Sequence, residues 1–380
     1  MTRLKEPSRI EVAIKHKPLL LISILLLLTV TGTTAQTCTT LDASDVLSIG
    51  GTSHGVGDSL LESDLARDRL NAQIIVCSTE SPDASTLRRK VGSPPDFDAR
   101  VSKLVEANLL RRRGDRFIAT FPILIGEQRE RYVRAVARVA DRVYRLFAPE
   151  LTGVLAEVDA RGWTDWQFHF LWSELFDSQA MWVDLINRGL VPPLSPLRYW
   201  VVYPPEPIAP GTNYYPNEAI EEFSLVVTWE PRGANVTDIL GRNSRAVMEV
   251  ALGERKPDAS LSGTGILDEN GELNIPVLRP ADPLLNVLHQ SSAKYAKVLE
   301  KTMPMRELEH LTGTHDRLLV FAMAYHDITY QLLSRYLKTG QLKLPSALRP
   351  GDGGSNLRGT AAIVPVFPPF IRMIEAAVKP

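Results

Sequence analysis

Apolar residues recur at helical spacing in several stretches of the chain, and shorter stretches alternate between apolar and β-branched positions. The helical pattern begins at residue 59, continues in a short helix over 83–92, and resumes in a helix from Phe97 to Leu110 that Asp96 would cap. The sequence RRRGDRFIATFPIL follows, and its Gly-Asp pair between β-forming residues predicts a β-hairpin. The pattern over residues 59–125 therefore predicts three helices followed by a basic hairpin.

The middle of the chain, residues 126–190, predicts a helical region. A helix over 127–147 carries an apolar stripe spaced 4-3-4-3, and Pro149 should end it before a shorter helix that runs to about Asp159. The stripe consists of Tyr132, Val136, Val139, Val143 and Leu146. Such a stripe packs against another helix of the chain or against its own copy in a homodimer. A further helix over 163–187 is rich in Trp and Phe, which predicts core packing.

Residues 191–222 are rich in Pro and Tyr and predict an extended loop, because so many prolines oppose regular pairing. A proline-rich loop lies at the surface, so its aromatic residues are candidates for binding a ligand. The candidates are Trp200, Tyr203, Tyr214 and Tyr215.

The second half, residues 223–350, repeats the layout of the first. It predicts a strand over 223–230, a hairpin over 265–278, a helix from Asp282 to Lys301 and a helix from Leu318 to Lys338. This similar order suggests a weak internal duplication. Residues 351–380 form a Gly-rich linker and an apolar tail. The predicted fold class is α+β, predominantly α-helical.

The N-terminus predicts export. An apolar run from Leu19 to Val30 follows a basic leader, and its 12 residues are too few to span about 30 Å of hydrocarbon but suit a signal peptide. We expect residues 1–35 to be removed between Ala35 and Gln36, with residues 36–56 as a lead-in segment. The protein would then be secreted or periplasmic. An uncleaved segment would instead anchor the chain, as its only contact with the membrane.

Charge and cysteine content agree with an exported globular protein. Without residues 1–35 the chain keeps 38 of its 43 basic and 42 of its 44 acidic residues, so its net charge does not favour nucleic acid. Cys38 and Cys77 both follow the expected cleavage position, and in an oxidising compartment they would form one disulfide.

The three helices and hairpin over residues 57–125 resemble a winged helix-turn-helix domain. This resemblance implies DNA binding, with the helix from Phe97 to Leu110 in the major groove. Basic residues in this segment would contact the phosphates: Arg88, Arg89, Lys90, Arg100, Lys103, Arg111, Arg112 and Arg113. Asp98 and Glu106 offset the positive charge of that helix, and export removes the protein from the chromosome. We therefore favour a scaffold used for protein contacts.

A second alternative is a metal-dependent hydrolase. His310, His315 and His326 are accompanied by carboxylates, a ligand set suited to zinc, but their spacing matches no metal motif. A histidine buried among apolar residues is the simpler interpretation of His326.

The sequence thus predicts an exported, non-catalytic binding or scaffolding protein for an unknown protein or small ligand, with no cofactor. The alternatives are a winged-helix DNA-binding regulator, either anchored or with a misassigned start, and a metal-dependent hydrolase. A homodimer through helix 127–147 is the one self-association that the pattern suggests.

Overall fold

The computed structural model is an α+β fold that is predominantly α-helical. It describes residues 48–50, 68–191, 201–203, 211–217, 220–229, 235–258, 261, 266–268, 270–345, 359–370 and 372–373. The predicted signal peptide, its cleavage position and the lead-in segment lie outside these residues. No helix in the described part of the chain is long and apolar enough to cross a membrane.

Three helices and a hairpin form the first unit. They are α1 (Arg69–Cys77), α2 (Ala84–Lys90), α3 (Phe97–Glu106), β2 (Leu110–Arg113) and β3 (Arg116–Ala119). The predicted order of three helices and a hairpin is confirmed, although residues 59–67 lie outside the residues that the structure describes. The helix α3 ends earlier than predicted, because Asn108 has φ 54° and turns the chain into β2. The resemblance to winged-helix domains stays a prediction.

Local hydrogen bonds explain where these helices begin. The Asp68 carboxylate accepts from the backbone N–H groups of Leu70 and Asn71 at 3.0 Å, which caps α1. Asp96 occupies the N-cap position of α3 as predicted, but its side chain makes no capping hydrogen bond and binds the Arg100 guanidinium instead. Cys77 is fully buried in the core of this unit, whereas Cys38 lies outside the described residues, so the disulfide stays a prediction.

A single helix, α4 (Gly126–Asp159), replaces the two that Pro149 was expected to separate. Apolar burial continues past the proline at Leu151, Val154 and Val158, and it offsets the roughly 3 kcal/mol that an internal proline costs a helix. Glu150 also accepts hydrogen bonds from Ser291 and Lys294 of a neighbouring helix. Packing against the rest of the fold therefore outweighs the tendency of the proline to end the helix.

Replacing this proline tests that explanation. We expect Pro149→Ala to raise the free energy of unfolding by about 1–3 kcal/mol, because alanine restores the missing N–H donor and removes the clash with the preceding turn. Urea unfolding followed by circular dichroism measures the change. Arg142→Ala, an exposed position of the same helix, should change stability by less than about 0.5 kcal/mol and serves as the control. A destabilised Pro149→Ala variant would contradict the account.

The helices α7 (Pro283–Thr302), α8 (Met305–Thr312) and α9 (Arg317–Lys338) pack against α4, and α5 (Gln179–Asn187) packs against α7. The stripe of α4 is buried by these helices of the same chain, except Leu146, which is 58% exposed. The stripe therefore does not serve as a homodimer interface. Both predicted helices of the second half are confirmed, and Asp282 caps α7 through its carboxylate. The internal duplication stays a prediction.

The predicted loop over 191–222 contains strands. The structure has β4 (Val201–Tyr203), paired with β1 (Ser48–Gly50), and a three-stranded antiparallel sheet of β5 (Gly211–Asn217), β6 (Ile220–Trp229) and β7 (Gly359–Pro365) in the order β5-β6-β7. Pro216 is accommodated because β5 is an edge strand among the described strands, paired with β6, and the register shifts beside the proline.

The three-stranded sheet is covered on both faces. Val226, Ala362 and Val364 belong to the core of the helical bundle, whereas Leu225 and Ile363 share a second core with α6 (Asn235–Ala251). Burial on both faces explains why Leu225, Val226 and Val227 of β6 form a continuous apolar run instead of alternating with polar residues. This arrangement places the polar residues of one sheet face directly against the helices.

Candidate functional site

A π-helix lies in the middle of the predicted aromatic helix. The segment 163–187 is not one α-helix. A 3-10 turn and one α-turn lead into the π-helix Phe170–Phe176, which ends at Asp177 before α5 begins. All seven residues of the π-helix are buried. The prediction that these aromatic residues form core is confirmed for Trp172 and Trp182. Short π-helices are frequently found at functional sites.

Side-chain hydroxyl groups from three other elements bind the carbonyl groups of the π-helix and its end. The Tyr214 hydroxyl lies 2.9 Å from the Ser173 carbonyl oxygen and 2.8 Å from that of Asp177. Ser292 donates to the Leu175 carbonyl at 2.7 Å, and Tyr325 donates to that of Phe176. These donors satisfy carbonyl groups that the irregular helix end would otherwise bury without partners, so they stabilise its geometry.

Three threonines form a row across the sheet and face the start of the π-helix. Thr212, Thr228 and Thr360 are register partners on β5, β6 and β7. The Ser173 hydroxyl lies 2.5 Å from that of Thr228 and 3.0 Å from that of Thr212, while the Thr228 hydroxyl is 2.9 Å from His169 Nδ1. A hydrogen-bonded chain therefore joins the sheet to the π-helix.

The hydrogen-bonded series ends at His169, and Glu174 lies next to that ring as a second buried group. His169 Nε2 and Glu174 Oε1 lie 3.8 Å apart, and neither atom has a hydrogen-bond partner within the described structure. Burial lowers the pKa of His169 to about 3. Burial, assisted by the charge of Asp177, raises the pKa of Glu174 to about 8. Both groups are therefore uncharged at pH 7.

Asp177 and His326 form a second pair at the end of the π-helix. Their facing atoms, Oδ1 and Nε2, are 3.9 Å apart, and each side chain is 14% exposed. Trp182 donates its indole N–H to the same Asp177 oxygen at 2.9 Å, and the Nδ1 of His326 lies 2.9 Å from the Ala322 carbonyl oxygen. These bonds orient both side chains. The interpretation of His326 as a buried histidine bonded to a backbone carbonyl agrees with this contact.

The residues predicted to bind a ligand in the Pro/Tyr-rich segment are not grouped on an open surface. The Tyr214 hydroxyl holds the π-helix, and the Tyr215 ring packs against α6 at Gly241, where an added Cβ would lie 2.7 Å from the ring. Both tyrosine side chains therefore pack within the fold, because the two faces of β5 contact the π-helix and α6, and their role in binding a ligand stays a prediction. Tyr203 lies on β4, while Trp200 and the Tyr203 side chain are outside the description.

The three candidate zinc ligands do not come together. His310 and His315 are exposed at the end of α8 and the turn that follows it, whereas His326 packs beside Trp182 and Tyr325. Within the described ranges no group of three or more His, Cys, Asp or Glu side chains could hold a metal ion. The histidine-based zinc site is thus contradicted.

A small cavity lies between α4 and α9. It has a volume of about 10 Å³, room for one water molecule, and Arg129, Tyr132, Asp327 and Gln331 are among its lining residues. The Tyr132 hydroxyl donates to Asp327 across it at 2.7 Å. A space of this size does not accommodate a substrate, so the cavity is a packing feature.

The basic residues of the first unit fall into two groups. On the helices, Arg88 pairs with Asp98 and Lys90 with Glu80, while Arg100 binds both Asp68 and Asp96. Lys103 and Arg89 are exposed. The helix that would read DNA bases thus has its arginine neutralised, which agrees with the near-neutral face that its sequence predicts.

The hairpin forms the second group. The side chains of Arg111, Arg112, Arg113 and Arg116 are all exposed, and none forms an ion pair with a carboxylate of the described residues. Arg113 and Arg116 are direct partners across the two strands, so two like charges face each other. Such pairs destabilise a hairpin, and an anionic partner would relieve the repulsion. We call Arg111, Arg113 and Arg116, which alternate onto one face of the hairpin, the basic face.

Comparison with known proteins gives this chain no relatives: no family model, no curated protein and no solved structure matches it.

Proposed function

We propose that this protein is a non-catalytic binding protein that contacts an acidic surface of a partner protein through the basic face of the hairpin. The observation that carries the proposal is the exposure of three guanidinium groups on that face, without carboxylate partners among the described residues. The hydroxyl groups around the π-helix, by contrast, bind other groups of the interior and hold the fold. The proposed binding surface therefore lies on the hairpin and not in the Pro/Tyr-rich segment.

The distribution of charge along the chain supports this proposal. Residues 84–145 contain 15 of the 43 basic residues but only 7 of the 44 acidic residues. The chain as a whole carries a net charge of −1, so this segment is strongly positive against an acidic remainder. A segregated charge of this kind steers an oppositely charged partner and increases its association rate.

The carboxylates on the outward face of α3 favour a protein partner over DNA. DNA recognition in the major groove requires a helix whose outward face tolerates nearby phosphates. On α3, however, Asp98 and Glu106 are exposed and Arg100 is held by two carboxylates. The predicted export agrees with a protein partner, since an exported protein does not meet the chromosome.

Neutralising the basic face tests the proposal. We expect a fluorescent poly-glutamate peptide to bind the protein, and the triple variant R111Q/R113Q/R116Q to bind it about tenfold more weakly. Each exposed ion pair contributes about 0.5 kcal/mol, and three together give about 1.5 kcal/mol, which is roughly a tenfold change in Kd. Fluorescence anisotropy at about 50 mM salt measures both affinities, because surface charge interactions are weakly screened there.

The control removes the same charge elsewhere. The variant K301Q/R306Q/R317Q changes three exposed basic residues outside the hairpin and should keep the affinity of the original protein within a factor of two. Equal weakening in both variants would show that net charge alone drives binding. Tighter binding of a DNA duplex than of the peptide, lost in the hairpin variant, would favour the regulator alternative.

A further inference from the structure

Hydrogen bonds connect the π-helix to the β5-β6-β7 sheet, and the proposed binding surface on the hairpin does not involve them. Four polar groups run in sequence from the sheet to the helix: Thr212, Ser173, Thr228 and His169, with 2.5 to 3.0 Å between successive partners. The Thr360 hydroxyl also lies 3.4 Å from His169 Nδ1. Each strand of the sheet therefore contributes one hydroxyl group, so the start of the π-helix is bonded to the whole sheet.

Glu174 lies next to His169, at the end of this series of hydrogen-bonded groups, and is buried without a bonded partner for its Oε1 within the described residues. It is 7% exposed, and its Oε1 lies 3.8 Å from His169 Nε2. A buried carboxylate normally has a cation or several donors around it, because burying an unpaired charge is costly. Here the adjacent ring is uncharged and the nearby acid is Asp177, so only the protonated form of Glu174 suits the site.

We propose that the His169–Glu174 pair is a pH-dependent lock that holds the π-helix on the β5-β6-β7 sheet while Glu174 is protonated and releases it when Glu174 loses its proton. Ionisation places a second negative charge beside Asp177 in the interior. The cost of this buried charge is relieved when water reaches the Glu174 carboxylate, which requires the π-helix to move away from the elements that bury it. This lock is independent of the basic face.

The tyrosine side chains around the π-helix do not titrate with Glu174. Burial raises the pKa of Tyr214 and of Tyr330, and also that of Tyr295, so these phenols stay neutral at pH 8. Other titratable groups on elements packed against it include His289 of α7, whose pKa burial lowers, His326 and Asp327 of α9, and Asp184 of α5, which pairs with Arg188. Burial raises the pKa of Glu174 to about 8, which places its ionisation within the pH range of the experiment.

The pH dependence has a definite sign. Between pH 4.5 and 8 the unfolded chain has an ionised Glu174 and the folded chain a protonated one, so stability falls as pH rises. Between pH 3 and 6.5 the unfolded chain has a protonated His169 and the folded chain a neutral one, so stability rises with pH. The two effects cancel between pH 4.5 and 6.5, and stability falls from pH 6.5 to 8.

Unfolding of the full chain in urea at several pH values tests the lock. We expect the unfolding equilibrium constant to rise about tenfold per pH unit between pH 6.5 and 8, the change that one proton gives. Glu174→Gln should abolish this rise, because glutamine keeps the shape but does not ionise. Glu106→Gln, at an exposed position, should retain it. A Glu174→Gln variant with the original pH dependence would overturn the proposal.

Local release is measured separately through Trp172, which lies in the π-helix. Acrylamide quenching, with Trp172→Phe as the background, should increase for Trp172 from pH 7 to pH 9 in the original protein and stay constant in Glu174→Gln. Constant quenching in both proteins would show that the π-helix does not move, and the lock would be rejected even if stability changed.

Discussion

Trp172→Ala is expected to lower the free energy of unfolding by about 3–5 kcal/mol. Trp172 is 1% exposed, lies at the centre of the π-helix, and stacks on Tyr330 with ring centroids 5.0 Å apart. Removal of the ring would leave a large cavity between the π-helix and α9, and the hydroxyl groups that hold the π-helix limit how far it can relax. Urea unfolding at pH 6, followed by circular dichroism, measures the loss.

Trp172→Phe separates size from hydrogen bonding. The indole N–H of Trp172 is buried without a hydrogen-bond partner in the part of the chain described, so phenylalanine loses no bond and relieves a buried donor. We expect this variant to lose less than half of what Trp172→Ala loses. Trp163→Ala, at a half-buried ring that stacks on Phe170, is the control and should cost less than Trp172→Ala. Equal losses for Trp172→Phe and Trp172→Ala would contradict the packing explanation.

The sequence predicts those elements whose capping residues, apolar stripes and turn residues favour the same structure as their packing in the fold. The helices α7 and α9 begin within a residue of the predicted positions, since an aspartate capping each start precedes a regular apolar stripe. The hairpin was also predicted, because Gly114 and Asp115 are turn residues between β-forming positions. In these segments neighbouring residues alone determine the backbone.

The predictions that fail do so for a different reason: in each case, contacts with residues far along the chain determine the structure. Pro149 does not end α4, because residues of α7 bind and bury the turn after it. The strand β5 forms in a proline-rich segment because β6 pairs with one of its edges. No periodicity in the sequence reveals that Tyr214, 37 residues beyond Asp177, would bind the end of a π-helix.

The buried polar network was missed for the same reason. Thr212, Thr228 and Thr360 are widely separated in sequence, and only the register of the sheet places them side by side. The sequence analysis does not single out Glu174 as a candidate residue. One clue is that this glutamate lies in a segment otherwise rich in aromatic and aliphatic residues, which is unusual for an exposed helix face.

Reversing the charge of the basic face should reverse its choice of partner. In R111E/R113E/R116E each position changes from attraction to repulsion toward an acidic ligand, about 1 kcal/mol per position, so poly-glutamate binding should weaken by roughly 100-fold. The same variant should gain affinity for poly-lysine, because three carboxylates now occupy the exposed hairpin. All three positions are exposed, so the fold should be retained, which circular dichroism checks.

This charge-reversal experiment tests the central claim, that the hairpin binds an acidic partner, most directly. Anisotropy titrations of the original protein and of R111E/R113E/R116E against both peptides give four affinities. The account predicts that the original protein prefers poly-glutamate and that the variant prefers poly-lysine. Unchanged poly-glutamate binding by a folded variant would contradict it and would place the binding surface elsewhere on the molecule.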